Sequence, residues 1–228
     1  MIKQNGITLL VILSFFVDLK GAEIDESELA LHHFMQGEFL MNQGNYALAV
    51  LEFQDAVDLD PNAATIHVSL ADAYRKLGKI KRSENHLKIA IELDPDEIEA
   101  QEMLAEIFIK KKDYNAAKIV FEKLHDIDAN NLDYIFALAD LARIQKNWEL
   151  AISYYIEAYN TNSIAINGLE QALQIAIATN DFLKAEEICN YFLKEDSDNS
   201  KILLTLKDLS LFNENYEAAI EAINKLEK

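Results

Sequence analysis

The sequence predicts an all-α protein built as an α-solenoid of about six helix-turn-helix repeats. Three observations lead to that fold class. One residue pattern returns every 34 positions, half of the 228 residues are apolar, and the chain contains only 6 Gly and 2 Pro. So few turn formers leave little material for a β-sheet, whereas the abundant Ala, Leu, Ile, Glu and Lys suit stacked helices.

The first 22 residues differ from the rest of the chain. Residues 7–17 are apolar apart from Thr8 and Ser14, and Lys3 precedes them. As a helix they would span about 16 Å, well short of the roughly 30 Å of a membrane core. We therefore predict a secretory signal peptide over residues 1–22 and a periplasmic or secreted protein. A buried or amphipathic first helix and an uncleaved membrane anchor remain the alternatives.

The repeat array is predicted to follow a short extension at residues 23–29. Its units are expected at 30–63, 64–97, 98–131, 132–165, 166–199 and, as a partial repeat, 200–228. In each unit a polar turn precedes a large residue that opens the second helix: Tyr46, Ile80, Tyr114, Trp148, Phe182 and Tyr216. Three places later stands a small residue: Ala49, Ser83, Ala117, Ala151, Ala185 and Ala219. Small residues let two helices approach closely.

The first helices of the early repeats carry matching small residues: Gly37, Ala71, Ala105 and Ala139. This pattern resembles the tetratricopeptide repeat family over residues 30–228. Leu173, Lys207 and Ser197 depart from it in the later repeats. The resemblance implies a right-handed superhelix and a non-catalytic scaffold or adaptor that binds a protein or peptide in a concave groove. With a signal peptide, it also suggests a role in the bacterial envelope.

The groove of such an array is lined by the first helices. Helical spacing selects the residues expected to face it, and the candidate partner-binding residues are Phe34, Glu38, Met41, Val68, Asp72, Arg75, Glu102, Glu106, Ile109, Phe136, Asp140 and Arg143. The ninth residue of the first helix is acidic in five of six repeats. This pattern indicates either an acidic stripe that binds a basic and apolar peptide or a merely solvated face.

The net charge of −18 points the same way. Nucleic-acid binding needs a basic surface, so the acidic balance argues against nucleic acid as a partner. It also disfavours anionic lipid. We expect a basic or apolar protein partner.

Catalytic chemistry is not predicted. The sequence contains no phosphate loop, nucleophile elbow or His/Cys/Asp spacing typical of metal sites, so we expect no enzyme, no cofactor and no metal. His33 and His67 occupy one repeat position and are interpreted as packing residues, while His86 and His125 look isolated on second helices. Cys189 is interpreted as a small core residue.

Two rival functions remain open from the sequence. One is a solute- or glycan-binding subunit of an enzyme, with Arg75 and Arg143 as anchors. The other is an oligomeriser that associates through residues 200–228, where Ala219, Ile220 and Ile223 are expected to lack a cover.

Overall fold

The computed structural model describes residues 25–227, and those residues form twelve α-helices and no strand. The helices are α1 Glu26–Asn42, α2 Tyr46–Leu59, α3 Ala64–Lys76, α4 Ile80–Leu93, α5 Ile98–Lys110, α6 Tyr114–Ile127, α7 Leu132–Ile144, α8 Trp148–Thr161, α9 Ile166–Ala178, α10 Phe182–Glu195, α11 Ser200–Phe212 and α12 Tyr216–Leu226. The prediction of an all-α solenoid of helix pairs is confirmed. The predicted signal peptide at residues 1–22 lies outside the described residues.

The described part of the chain divides into two compact units, with the boundary between Ala100 and Gln101. In the first unit, α1 packs on α2, α2 on α3 and α3 on α4. In the second unit, the same sequential packing runs from α6 through α12. No helix within residues 25–227 is long and apolar enough to cross a membrane.

The first helix begins earlier than the repeat pattern indicated. Residues 26–29, predicted to belong to an extension, form the first turn of α1. The side chain of Asp25 accepts a hydrogen bond from the backbone N–H of Ser27, and Glu26 and Glu28 lie in that first turn. A capping carboxylate and acidic residues at a helix N-terminus favour helix formation, which explains the earlier start.

The turn inside each repeat has one backbone conformation. A residue with positive φ ends the first helix every 34 residues: Gly44 (76°), Gly78 (71°), Lys112 (61°), Lys146 (59°), Asn180 (59°) and Glu214 (61°). In the fourth repeat, Lys146 N–H donates to the Arg143 carbonyl at 3.0 Å and Asn147 N–H to the Ala142 carbonyl at 2.8 Å. These two bonds satisfy carbonyls at the helix C-terminus that would otherwise lack partners.

The small residues lie where the two helices of a repeat meet. The small residue of the second helix is buried in all six repeats. In the first helix, Ala71, Ala105 and Ala139 are buried too, and a Cβ on Gly37 would overlap the ring of Phe53. The 34-residue register therefore determines how closely these helices pack.

Candidate partner-binding surfaces

The first unit contains a groove on its first helices. Its volume is about 270 Å³, and it brings together five predicted site residues with Thr65, Ser69 and Glu99. The five are Phe34, Glu38 and Met41 on α1 and Val68 and Asp72 on α3. We call this surface the α1/α3 groove.

The side chains of the α1/α3 groove differ in exposure and charge. Phe34 and Met41 are half-buried, whereas Val68 is only 4% exposed and forms the floor of the groove. Asp72 pairs with Arg75, whose Nη2 lies 2.5 Å from the carboxylate. Among residues 25–227, Glu38 has no ion-pair partner. Its carboxylate is thus available to a ligand.

The second unit has an apolar hollow of about 410 Å³. It includes the predicted residues Ile109, Phe136 and Asp140, with Asp133, Ala137, Leu141 and Ile144. Ile109 and Ile144 are exposed, and Phe136 is half-buried. This hollow offers apolar contact area to a partner.

Three of the predicted groove acids lie in the second unit, and each of them is engaged within the protein. Tyr134 donates a hydrogen bond to Glu102 at 2.6 Å. Burial and then this bond raise the pKa of Tyr134 to about 12. Glu106 pairs with Lys110 at 3.4 Å, and Asp140 pairs with Arg143 at 3.0 Å.

Three of the ninth-position acids therefore share one arrangement: Asp72, Glu106 and Asp140 each pair with a cation three or four residues later in the same helix. Such spacing favours pairing on a helix, so the sequence already held this signal. The stripe is consequently less acidic than the residue list suggested, and Glu38 is its least neutralised member.

Arg143 borders a further hollow of about 360 Å³ with Trp148, Gln171, Gln174 and Thr179. All five of these residues are exposed, so the hollow is an open depression and not a closed pocket. The guanidinium is also held by Asp140 and by the Tyr155 hydroxyl. These features do not favour the rival function in which Arg143 anchors a solute or glycan.

The histidines meet partners that the sequence did not indicate. His67 and His86 stack, with their Nδ1 atoms 3.1 Å apart. The prediction that His86 is isolated is therefore wrong. Burial, followed by the charges of His67 and Arg82, lowers the pKa of His86. His33 similarly contacts Glu52, with 2.8 Å between Nδ1 and Oε2. Both pairs are 19 residues apart, because the repeat brings those two positions of its helices together.

His125 is not isolated either, since its Nε2 lies 3.2 Å from a carboxylate oxygen of Glu157. Cys189 lies in the core of the second unit, as expected. Burial raises the pKa of its thiol to about 12, and such a thiol has little of the thiolate that a nucleophile needs.

Ala219, Ile220 and Ile223 on α12 were all expected to lack a cover, and the structure confirms this only in part. Ala219 is buried, contrary to the prediction, because α12 packs on α11. Ile220 is 58% exposed and Ile223 is 37% exposed. The helix pair thus covers one face of α12 and leaves these isoleucines on the other.

Sequential helix pairs with open hollows define a repeat scaffold, a class that binds other molecules along an extended surface. Residues 40–107 and residues 98–131 each match the tetratricopeptide repeat family. RNA polymerase II-associated protein 3 of Xenopus laevis is 25% identical over 173 residues, which is 75% of this chain and 26% of that protein. The chain spans 10% to 27% of the length of the curated relatives it matches.

Solved structures share the fold. The crystal structure of MamA protein is 17% identical, with a TM-score of 0.62, and covers 76% of this chain and 95% of its own. YrrB, described as a tetratricopeptide repeat protein with an unusual peptide-binding site, is 20% identical, with a TM-score of 0.51 over 76% of this chain and 89% of its own. This chain is a tetratricopeptide repeat protein. Proteins of this family are generally non-catalytic scaffolds, and the fold supports a role in protein interaction.

Proposed function

We propose that the protein binds a basic, partly apolar peptide segment of a partner protein in the α1/α3 groove. The observation that carries this proposal is the carboxylate of Glu38, which has no ion-pair partner among residues 25–227 and lies beside the apolar side chains of Phe34 and Met41. Lys and Arg combine an apolar stem with a charged end. The stem can pack on Phe34 and Met41 while the charged end reaches Glu38.

The composition of the groove suits a ligand that varies in shape. Methionine is flexible and polarizable, so Met41 can adapt to different side chains. Thr65 and Ser69 line the same groove and offer hydroxyl groups for hydrogen bonds. YrrB, a similar fold, has a peptide-binding site by its own description, which supports a peptide as the ligand.

The apolar hollow of the second unit is proposed to receive an apolar anchor of a partner. Ile109 and Ile144 are exposed there beside Phe136. Apolar side chains in a concave surface contribute binding energy when they exclude water. This contribution does not depend on the acidic character of the chain.

The test is a comparison of two peptides by fluorescence anisotropy. One alternates Lys with Leu, and the other carries Glu in place of Lys. We expect the basic peptide to bind more tightly, with an affinity that decreases at high salt. Glu38→Lys should weaken binding by at least about tenfold, because like charges in contact are costly.

Glu106→Lys is the matched control, since that carboxylate already pairs with Lys110 in the other unit. It introduces the same change of charge and should leave the affinity of the basic peptide nearly unchanged. Equal effects of the two substitutions would mean that net charge, and not the α1/α3 groove, governs binding. An affinity that neither salt nor Glu38→Lys alters would overturn the proposal.

We also propose that the protein is exported through residues 1–22, on the evidence of their composition alone. Mass spectrometry of the protein recovered from the envelope fraction should find an N-terminus near residue 23. Leu10→Arg, which interrupts the apolar stretch, should abolish export. Retention of Met1 together with a cytosolic location would contradict this proposal.

Self-association is a second candidate role, favoured by exposed apolar side chains on α11 and α12. Phe212, Tyr216 and Ile220 are each more than half exposed. Light scattering across a dilution series should then show dimers or larger species that Ile220→Glu dissociates. A mass equal to one chain at every concentration would exclude this role.

A further inference from the structure

Three side chains with metal-binding atoms meet on the first repeat, outside the α1/α3 groove. His33 lies on α1, and Glu52 and Asp55 lie on α2. One ligand atom from each side chain lies within 4.8 Å of the other two. Within residues 25–227, these three residues are the one group of at least three potential metal ligands that lie this close together.

The repeat geometry explains why these residues meet. Positions 33 and 52 have the same 19-residue separation as His67 and His86, which are in contact in the second repeat. Asp55 stands three residues after Glu52, so both carboxylates lie on one face of α2. Two helices that the core already holds together therefore bring the three ligands into position.

The neighbouring repeat lacks one part of this set. The positions that correspond to His33, Glu52 and Asp55 are His67, His86 and Ile89. An isoleucine cannot bind a metal, and the two histidines there stack on each other instead. The three-ligand combination thus belongs to the first repeat and is not a general feature of the array.

The chemistry of the set suits a divalent cation of intermediate softness. One imidazole and two carboxylates are ligands of Zn²⁺, whereas Ca²⁺ and Mg²⁺ prefer oxygen ligands alone. Two carboxylates also balance the two charges of the ion. Tetrahedral zinc with bonds of about 2.0–2.2 Å keeps its ligand atoms about 3.4 Å apart. The His33 Nδ1 to Glu52 Oε2 separation of 2.8 Å reaches that value by a small side-chain rotation.

We propose that His33, Glu52 and Asp55 form a zinc site that joins α1 to α2 on the surface of the first repeat. Side chains of His33 and Glu52 are 25% and 30% exposed, and Asp55 is exposed, so the ion can enter from solvent. Three protein ligands leave one coordination position open. Water or a side chain of a partner protein occupies that position, and the site is independent of peptide binding in the α1/α3 groove.

Isothermal titration of the untagged full chain with ZnCl₂ tests the proposal. We expect one ion per chain, with a higher melting temperature in the presence of zinc because the ion binds the folded state. Co²⁺ in place of Zn²⁺ should give the visible absorption typical of a four-coordinate site. Binding of Zn²⁺ should also perturb the imidazole NMR signals of His33.

The variants separate this site from adventitious binding. His33→Ala and Asp55→Asn should each weaken zinc binding by at least about tenfold. Even the loss of a hydrogen bond that orients a metal ligand weakens metal binding about 10- to 100-fold. Asp55 is exposed, so Asp55→Asn removes a ligand without disturbing the core. His32→Ala is the matched control, because His32 is the exposed neighbour on the same helix and is not one of the three ligands, although its ring stands edge-on to that of His33 with 5.8 Å between centroids.

Retention of binding by His32→Ala together with its loss in both ligand variants would support the site. Equal binding by the unaltered chain and Asp55→Asn would overturn it. So would a loss in His32→Ala as large as that in His33→Ala, because His33, Glu52 and Asp55 would then not be the ligands that hold the ion by themselves.

Discussion

The positive-φ turn within each repeat allows a prediction of opposite effects from opposite substitutions. Lys146 has a φ of 59°, a conformation that costs a residue with a Cβ about 1–2 kcal/mol. Lys146→Gly removes that strain, while the greater freedom of glycine in the unfolded chain costs about 0.4–1 kcal/mol. The net expectation is a stabilisation of about 0.5–1 kcal/mol.

The reverse change is Gly78→Lys, at the equivalent turn of the second repeat. A Cβ on Gly78 would meet no atom within 4 Å, so the substitution tests the backbone alone. Because Gly78 has a φ of 71°, Gly78→Lys should decrease the free energy of unfolding by about 0.5–1 kcal/mol. Asn180→Gly is the control and should have a smaller effect than Lys146→Gly, because asparagine tolerates this conformation better.

Thermal and urea unfolding followed by circular dichroism measures these changes. A change of 1 kcal/mol moves the melting temperature of a chain of this size by about 2–4 °C, so shifts of about 2 °C in opposite directions are expected. Because repeat arrays can unfold in stages, the transition of each variant is compared with that of the unaltered chain. A lower melting temperature for Lys146→Gly, or no change for Gly78→Lys, would refute the role of backbone strain.

Three further predictions concern Gly37, His86 and Cys189. Gly37→Ala should destabilise the chain by about 1–3 kcal/mol in urea unfolding, because the new methyl group overlaps the ring of Phe53; an unchanged midpoint would contradict this. The folded-state pKa of His86 lies below its ordinary value of 6.5, so stability is complete above about pH 6.5 and decreases as the pH falls below it. His86→Gln should flatten that decrease between neutral and mildly acidic pH, and an unaltered dependence would rule out His86 as its source. Cys189, with a pKa of about 12 and no exposure, should react with Ellman's reagent only at the rate at which the chain unfolds, and immediate labelling of the folded chain would disagree.

The repeat register could be predicted because it depends on local sequence. A small residue such as Ala151 must recur at a constant distance from the turn if two helices are to pack closely. The spacing of these residues therefore indicates where the helices pack. The positive-φ residues were harder to recognise, since Lys112, Lys146 and Glu214 stand where glycine is usual. Their positive φ follows from the hydrogen bonds that end the first helix. The two repeats with glycine at this turn form the same bonds.

The groove residues could be predicted only in part. Helical periodicity assigned Phe34, Glu38 and Met41 to one surface with Asp72, and all four side chains line the α1/α3 groove. It did not reveal that Val68 is only 4% exposed, because periodicity defines a face of the helix and not the depth at which each residue on that face lies. Pairing within a helix could have been foreseen from the spacing of Asp72 and Arg75, but its geometry depends on rotamers.

The sequence by itself determined the helices, the register of six repeats and the small residues at which helices meet, because all of these depend on positions close together in the chain. Only the tertiary structure decided which distant side chains meet. It placed His33 against Glu52 and Asp55, stacked His67 on His86, and left the carboxylate of Glu38 unpaired among residues 25–227. Contacts between helices depend on side-chain direction and packing, and a linear pattern records neither.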